Sequence, residues 1–242
     1  MRISIIIPAL NEATGIVATL MPLQPWRAQG HEVILVDGGS LDGTPELAEG
    51  LTDAVISTTR GRARQLNAGA AAARGDVLLF LHADTRLSDR ALATLRVALR
   101  GRVWGRFDVD LVGSDPARPA RLLRLVAALM NLRSRLTGIA TGDQAMFVSR
   151  TAFNAVGGFP DQPLMEDIEL SRRLNKLGSP ACCQAHVATS ARRWEEHGVW
   201  RTIFLMWRLR FDYWRGVPAE VLAARYATTR REREGDPTEA AR

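Results

Sequence analysis

The chain has 242 residues, 46% of them hydrophobic, which is enough to bury a sizeable core. Its formal net charge of +6 comes mainly from arginines spread along the chain, so we expect phosphate-bearing ligands or an anionic membrane surface and no nucleic acid partner. The only cysteines, Cys182 and Cys183, are adjacent, which excludes a disulfide framework. We find no signal-peptide pattern and therefore expect a cytoplasmic location.

The first half of the chain alternates strand-like and helix-like segments. We expect the first strand to end at Pro8, and the clearest intervening helix to run from Arg62 to Arg74. Strands separated by helices indicate a parallel, doubly wound nucleotide-binding half. Apolar runs bounded by turn residues predict strands at 3–7, 32–37, 54–57 and 76–81.

The residues after the predicted strand at 76–81 are the most informative. In open α/β sheets ligands bind at the carboxyl ends of the strands, so we expect His82–Asp84 to meet Pro8–Asn11 and Asp37–Gly39 there. The Asp84 carboxylate suits Mg²⁺ or Mn²⁺, which prefer oxygen ligands and commonly join a carboxylate to nucleotide phosphates. Taken alone, Asp84 also suits a cap for a helix beginning near Asp89.

The second half is less regular. Residues 106–110 alternate like a strand with one wet face, and residues 117–136 have a helical pattern. A loop enters a strand at 142–148, and a helix with an acidic first turn opens at Glu166. We expect one domain over residues 1–226, with a nucleotide-binding half to about 110 and an acceptor-binding half beyond it. The charged segment 227–242 is predicted to be a disordered tail.

Four motifs follow one another along the chain: Ser4–Glu12, Val36–Thr44, Phe80–Thr85 and the pair Glu166–Asp167 ahead of Leu170. In this order and spacing they resemble glycosyltransferase family 2, and most of all a bacterial subgroup of small enzymes. The resemblance implies a GT-A fold, which is an α/β fold with a Rossmann-like nucleotide-binding half, a mixed sheet and helices on both faces. It also implies a nucleotide-diphosphate sugar donor, with UDP favoured, a hydroxyl acceptor, a divalent metal (Mn²⁺ or Mg²⁺) and inversion at the anomeric carbon.

The same resemblance assigns roles in donor binding. Asp37 matches the aspartate that commonly contacts the base, Asp84 matches the direct metal ligand, and Arg193–Trp194 resembles an element that closes over the diphosphate. The chain departs from the family pattern at His82, which stands where an aspartate is common and is expected to contact ribose or phosphate instead. The full expected donor site comprises Pro8, Leu10, Glu12, Asp37, Gly39, Arg64, His82, Ala83, Asp84, Asp143, Arg193 and Trp194.

Asp167 is the expected catalytic residue. Inverting transfer needs a general base that removes the acceptor hydroxyl proton on the sugar face opposite the leaving nucleotide. Asp167 matches the base of the family's Glu-Asp pair, and Glu166 is its expected catalytic neighbour. Without the other motifs, both carboxylates would be consistent with a helix N-terminus alone.

Two other functions share some of these features. A nucleotidyltransferase has the same α/β half and metal carboxylates, but usually a glycine-rich loop with a basic residue after the first strand, which this sequence lacks. A non-catalytic nucleotide-sugar-binding protein needs no general base, so Asp167 argues against it.

An aromatic stripe near the C-terminus leaves the place of action open. Arg201, Arg208 and Arg215 repeat beside the stripe, so the segment suits an interfacial helix on an anionic membrane, with a lipid or lipid-linked acceptor. The same aromatics equally suit a helix packed against the sheet. The aromatic stripe consists of residues at helical spacing, namely Trp200, Phe204, Trp207, Phe211 and Trp214.

Overall fold

The computed structural model describes residues 1–113 and 120–234 of the chain. Within these ranges one mixed sheet contains eight strands, and β1 lies near its middle. The strands are β1 (Ile3–Ala9), β2 (Glu32–Asp37), β3 (Ala54–Ser57), β4 (Val77–Phe80), β5 (Thr85–Leu87), β6 (Trp104–Val112), β7 (Phe147–Ser149) and β8 (Ala181–Ser190), in the spatial order β3-β2-β1-β4-β7-β6-β8-β5.

Helices connect most of these strands. Short 3-10 turns occur at Met21–Leu23 and at Gly142–Gln144, and the latter lies in the candidate site. The α-helices of the described ranges are α1 (Ile16–Leu20), α2 (Gln24–Ala28), α3 (Thr44–Ala48), α4 (Arg62–Ala72), α5 (Ala91–Ala98), α6 (Ala120–Thr137), α7 (Arg150–Ala155), α8 (Glu166–Asn175), α9 (Arg192–His197), α10 (Val199–Trp214) and α11 (Ala219–Glu234).

The first half of the chain has the predicted parallel strands. β1 pairs in parallel with β2 and β4, and β2 pairs in parallel with β3, so the α/β prediction is confirmed. β1 continues through Pro8 to Ala9 instead of ending at the proline. On the β4 side, pairing stops at Ile6, so the missing amide of Pro8 leaves no hydrogen bond of the ladder unmade.

The second half of the sheet contains the predicted strand β7 and two strands that the sequence did not predict, β5 and β8. β7 joins the halves by running antiparallel to both β4 and β6. β8 pairs in parallel with β6 and antiparallel with β5, whose Thr85–Leu87 directly follows Asp84. β5 is only three residues long, and β8 begins with Ala-Cys-Cys-Gln-Ala-His, which lacks the alternation that identifies a strand.

The predicted wet face of β6 is wrong at Arg106 and Asp108 and is confirmed at Asp110, which is exposed. Arg106 and Asp108 are buried, because α6 covers that face of the strand. Arg106 forms an ion pair with Asp108, and its Nε donates to Ser134 Oγ of α6 at 3.0 Å. Arg135 of α6 also pairs with Asp108. Buried charges are retained only when they are paired and hydrogen-bonded, so this face is a polar core between helix and sheet.

Asn131 extends this polar core toward the candidate site. Its side chain accepts from Val109 N at 2.9 Å and donates to Val109 O at 3.0 Å, which completes the buried backbone of β6. Gln144 is also buried and donates to Asn131 Oδ1 at 3.2 Å. The sheet, α6 and the turn at Gly142–Gln144 are therefore joined by one hydrogen-bonded network.

The C-terminal helices differ from two expectations. The aromatic stripe of α10 is exposed, so the alternative in which it packs against the sheet is wrong. The segment 227–242 was predicted to be disordered, but the backbone of α11 is helical as far as Glu234. The rest of that segment, residues 235–242, lies outside the described ranges. The predicted helix start at Ala117 lies outside them as well. Among the described helices, none is both long and apolar enough to cross a bilayer.

Candidate active site

A small cavity opens where the carboxyl end of β4 meets the N-terminal ends of α4 and α8. Aromatic and apolar side chains line it together with charged groups. The cavity therefore combines His82 with the predicted catalytic pair. Its lining residues are Arg62, Leu66, Phe80, His82, Gly142, Met146, Phe159, Glu166 and Asp167.

The turn at Gly142 and Asp143 holds the two halves of this site together. His82 Nδ1 lies 3.3 Å from Asp143 Oδ1. A Cβ added at Gly142 would lie 2.2 Å from His82 Nε2, so only glycine permits this packing. His82 is thus engaged by Asp143 and Gly142, and its expected contact with ribose or phosphate stays a prediction.

The charge of Asp143 is set by its neighbours. Burial acts to raise the pKa of the Asp143 carboxyl, but the hydrogen bond from His82 and the positive charges of His82, Arg193 and Arg62 lower that pKa to about 2. Asp143 is therefore a carboxylate at neutral pH. The Asp143 carboxylate places a negative charge beside the cavity.

Asp167 has a fixed orientation at the start of α8. Its Oδ2 accepts a hydrogen bond from Gly142 N at 2.9 Å, and its Oδ1 accepts one from Ile168 N at 2.7 Å. Glu166 is buried, and burial followed by the negative charge of Asp167 raises the pKa of the Glu166 carboxyl. Arg62 Nη1 lies 3.7 Å from Glu166 Oε1 and opposes that shift. The predicted pair is thus held at the cavity by backbone amides and one arginine.

Arg62 is a site residue that the sequence analysis missed in favour of Arg64. Arg64 forms an exposed ion pair with Asp161, with Nε 2.9 Å from Oδ1, whereas Arg62 lines the cavity. The two arginines stand two residues apart on α4 and thus point in different directions. That spacing was the available signal, because the arginine nearer the helix N-terminus lies closer to the strand ends.

The loops after β1 and β2 are fixed to each other by hydrogen bonds. Asn11 N donates to Ser40 Oγ at 2.8 Å, Glu12 N donates to Thr44 Oγ1 at 2.8 Å and Ala13 N donates to Asp42 Oδ2 at 2.9 Å. The polar residues of the Val36–Thr44 motif therefore shape the turn that carries Leu10 and Glu12. These hydrogen bonds explain the spacing of the polar residues in the motif without reference to a bound ligand.

Asp37 is buried and forms the turn that follows β2. Its Oδ2 accepts hydrogen bonds from Gly39 N at 2.9 Å and Ser40 N at 3.0 Å, and Gly39 has a φ of 92°, which favours glycine. Gln65 of α4 joins the ends of β1 and β2 by donating to Ala9 O and Val36 O, each at 2.8 Å. The turn-forming role of Asp37 is visible here, and its contact with a base stays a prediction.

Asp84 lies at the predicted position, exposed just after β4. Its Oδ1 is 3.4 Å from the hydroxyls of Thr85 and Thr189, and Ala83 before it is buried, with its carbonyl accepting from Thr19. Burial raises the pKa of Glu12; Arg192 opposes the shift, and the charges of Asp84 and Asp42 add to it. The strand ends thus carry a local excess of negative charge.

This chemistry fits a divalent cation held in part by substrate. Among the described residues no three His, Cys, Asp or Glu side chains form a ready-made metal site. Mg²⁺ is commonly bound through one or two carboxylates together with substrate phosphates and water. An exposed Asp84, with Glu12 nearby, meets that requirement, whereas a closed structural metal site would need more protein ligands.

Two arginines of the second half add positive charge near the Asp143 carboxylate. The guanidinium of Arg193, on α9, lies over the ring of Tyr226 at 5.4 Å, and Trp194 packs against the apolar cluster beneath α9. Arg133 of α6 is a residue that the sequence analysis missed. Its Nε and Nη2 are buried without a hydrogen-bond partner among the described residues. Burial lowers the Arg133 pKa, and the charges of Asp167 and Asp143 oppose that shift.

Backbone strain is concentrated next to these residues. Among the described residues, three that are not glycine have a positive φ: Asn11 at 55°, Ala145 at 45° and Met165 at 66°. Asn11 precedes Glu12, Ala145 follows the Asp143 turn, and Met165 precedes the Glu166–Asp167 pair. Such conformations persist only where the surroundings enforce them, and they cluster at functional sites.

Comparison with known proteins tests the family resemblance of the four motifs. The model of the family described as Glycosyl transferase family 2 matches residues 4–156. The probable glycosyltransferase YdaM of Bacillus subtilis (strain 168) is 26% identical over 239 residues, which cover 89% of this chain and 55% of YdaM. The chain spans about half the length of the curated relatives it matches.

Solved structures confirm the GT-A fold that the motifs predict. S. aureus TarS 1-349 in complex with UDP-GlcNAc has a TM-score of 0.60 and 17% identity, over 78% of this chain and 58% of that one. Glucosyl-3-phosphoglycerate synthase from Mycobacterium tuberculosis, in complex with Mn²⁺, UDP and phosphoglyceric acid, has a TM-score of 0.55 and 21% identity. The match covers 78% of this chain and 69% of the synthase chain.

The ion pair at the cavity yields a pH prediction. Removing the imidazole in His82→Ala takes away the hydrogen bond and charge that lower the Asp143 pKa, so this pKa should rise from about 2 toward its ordinary 3.8. In the unmodified protein the lowered pKa adds stability above about pH 4, and this is lost as the pH falls toward 2. The variant should lose less stability over that range.

Carboxyl ¹³C NMR titration measures the Asp143 pKa, and urea unfolding at each pH measures the stability. His186→Ala is the matched control, because it removes an exposed histidine that is paired with Asp110 at 3.0 Å, away from the cavity. An Asp143 pKa that is the same in both variants would contradict the assignment.

Proposed function

Because this chain belongs to glycosyl transferase family 2, we propose that it transfers a sugar from a UDP-sugar to a hydroxyl acceptor with inversion at the anomeric carbon. The observation that carries the proposal is the position of the Asp167 carboxylate. It lies at a cavity beside the carboxyl ends of the parallel strands, oriented by two backbone amides. Open α/β sheets bind nucleotides at these strand ends.

UDP is the favoured donor nucleotide. Both solved structures described above were crystallised with UDP or a UDP-sugar, which supports the choice. In this chain the loop pair built from residues 10–13 and 40–44 is rigid, and Asp37 has further lone pairs to accept the imide N–H of uracil. Arg193 and Arg62 add positive charge on the side of the cavity where the diphosphate would lie.

Asp84 is the residue that we assign to a divalent cation, with Glu12 close by. When bound, Mn²⁺ or Mg²⁺ would offset the negative charge that develops on the diphosphate. Asp84 is exposed at the strand end, so it can share such a cation with phosphate oxygens and water. The crystals of the M. tuberculosis synthase with Mn²⁺ or Mg²⁺ support this assignment.

Asp167 is the residue that we assign as general base. It accepts the proton of the acceptor hydroxyl as that oxygen forms a bond to the anomeric carbon and the bond to UDP breaks on the opposite face. The amides of Gly142 and Ile168 hold the carboxylate in place while leaving it lone pairs for the hydroxyl. Arg133 Nε and Nη2, buried without a hydrogen-bond partner among the described residues, are available to a hydroxyl or anionic group of the ligands.

The two alternative functions fit the site less well. A nucleotidyltransferase would need basic groups in the loop after β1, where this chain has Leu10-Asn11-Glu12. A protein that only binds nucleotide sugars would not need a carboxylate oriented beyond the strand ends. Binding and turnover measurements on the same variants distinguish all three functions.

Replacing the metal carboxylate should abolish the dependence of UDP binding on metal. In Asp84→Asn we expect the UDP affinity in Mn²⁺ to fall by roughly tenfold or more, to the level of the unmodified protein in EDTA. Isothermal titration with UDP, with and without Mn²⁺, measures this. Asp89→Asn, an exposed aspartate close by in sequence, should behave as the unmodified protein. A full response to Mn²⁺ in Asp84→Asn would exclude Asp84 as the ligand.

Replacing Asp167 should lower the turnover of the enzyme without weakening its binding of UDP. Because an amide cannot accept the proton, Asp167→Asn should keep UDP affinity and lower kcat roughly 10²- to 10⁴-fold. UDP release from UDP-glucose and UDP-GlcNAc, with a lipid extract as acceptor source, measures turnover. Glu169→Gln, on the same helix, is the control. Turnover by Asp167→Asn within a few-fold of the control would refute the assignment, and the absence of UDP binding by the unmodified protein would refute the donor.

A further inference from the structure

The aromatic face of α10 is exposed along the length of the helix. The opposite side of α10 is buried through Thr202 and Leu209, so the helix is anchored and its aromatic face has no cover within the described chain. Single exposed apolar residues are common, but a contiguous row of large aromatics marks an interaction surface. The exposed fractions are 65% for Trp200, 65% for Phe204, 67% for Trp207, 55% for Phe211 and 79% for Trp214.

A second apolar row lies on the neighbouring helix. Val199 and Ile203 of α10 pack against the cluster that contains Val126 and Ala127 of α6. On α6, four leucines repeat at the spacing of the α10 aromatics and are at least half exposed. We refer to these two exposed rows, each on its own helix, as the α6–α10 face. The leucines are Leu125, Leu129, Leu132 and Leu136.

Positive charge accompanies the α6–α10 face. Arg201, Arg208 and Arg215 are exposed beside the aromatic row, and the Arg215 guanidinium lies 5.8 Å from the centre of the Phe211 ring. The sequence of α6, residues 120–137, contains arginines and no acidic residue. The one carboxylate of α10, Asp212, is paired with Arg225 at 2.7 Å. An occupant of this face must therefore accept aromatic side chains and neutralise arginines.

We propose that the α6–α10 face binds the surface of an anionic lipid bilayer. Tryptophan and phenylalanine enter the headgroup region while adjacent arginines pair with lipid phosphates, which is the pattern of an interfacial helix. A second copy of the chain fits less well, because a self-pairing face would bring its arginines close to their equivalents, and like charges repel.

The α6–α10 face is coupled to the catalytic pair through one layer of packing. Met165, next to Glu166, is buried in a cluster with Leu209 of α10 and Leu222 of α11. A bilayer on this face would therefore lie about one helix diameter, ~10 Å, from the start of α8. Membrane binding does not depend on the proposed function; the consequence that the acceptor is a membrane lipid or lipid-linked group rests on it.

Vesicle flotation of the full chain tests the proposal. The protein should float with vesicles of phosphatidylcholine and phosphatidylglycerol at low salt, float much less with pure phosphatidylcholine, and be released from anionic vesicles at 1 M salt, a concentration chosen to shorten the screening length to ~3 Å. Failure to float with the anionic vesicles at low salt would overturn the proposal. UDP titration of the same sample reports the proposed function independently.

Variants identify the face that binds. Trp207→Gln/Phe211→Gln changes two exposed residues, so it should keep the unfolding midpoint and lower the bound fraction roughly tenfold or more. Arg201→Gln/Arg208→Gln should remove the preference for anionic vesicles. Val97→Gln, an equally exposed apolar residue on α5, should float as the unmodified protein. Unchanged flotation of the folded aromatic variant, or a dimer in sedimentation that this variant abolishes without any vesicle binding, would overturn the assignment.

Discussion

The turn at Gly142 and Asp143 is the constraint on which the site depends. It follows α6 and precedes β7, the strand that joins the two halves of the sheet. From this position Gly142 N holds the Asp167 carboxylate, and Asp143 pairs with His82 at the end of β4. The proposed base on α8 and the strand ends that would hold the donor are thus positioned by two adjacent residues.

Buried polar groups, more than apolar packing, set the position of this turn. Gln144 is fixed by Asn131, which also completes the backbone bonds of β6, and Arg106 and Asp108 fill the adjacent space under α6. Such networks are costly unless every member is satisfied, so they specify one arrangement of helix and strand. The loops after β1 and β2 follow the same rule, since the side chains of Ser40, Asp42 and Thr44 accept hydrogen bonds from the backbone amides of residues 11–13. Rigid loops of this kind hold reacting groups in a productive geometry.

The sequence was informative where local pattern decides structure. Apolar runs located the four parallel strands, and the carboxylates that follow them lie at the strand ends, because parallel strands end on the same edge of a sheet. The sequence was misleading where contacts between distant segments decide which side chains are buried. The alternation at Arg106 and Asp108 resembles a surface strand, but α6 covers both side chains. The spacing of Arg62 and Arg64 shows that they leave α4 in different directions, and only the packed fold shows that Arg62 lines the cavity while Arg64 pairs with Asp161. The two buried Arg133 nitrogens that have no hydrogen-bond partner in the described part of the chain also become evident only in the folded structure.

The measurement that tests this account most directly is a comparison of Gly142→Ala with Gly101→Ala. A Cβ at position 142 would lie 2.2 Å from His82 Nε2, whereas at position 101 it would meet nothing within 4 Å. Displacing His82 should disturb both the strand end and the orientation of Asp167. We therefore predict that Gly142→Ala, while folded, loses UDP affinity and turnover together, and that Gly101→Ala retains both. A folded Gly142→Ala protein with unchanged UDP affinity and turnover would contradict the account.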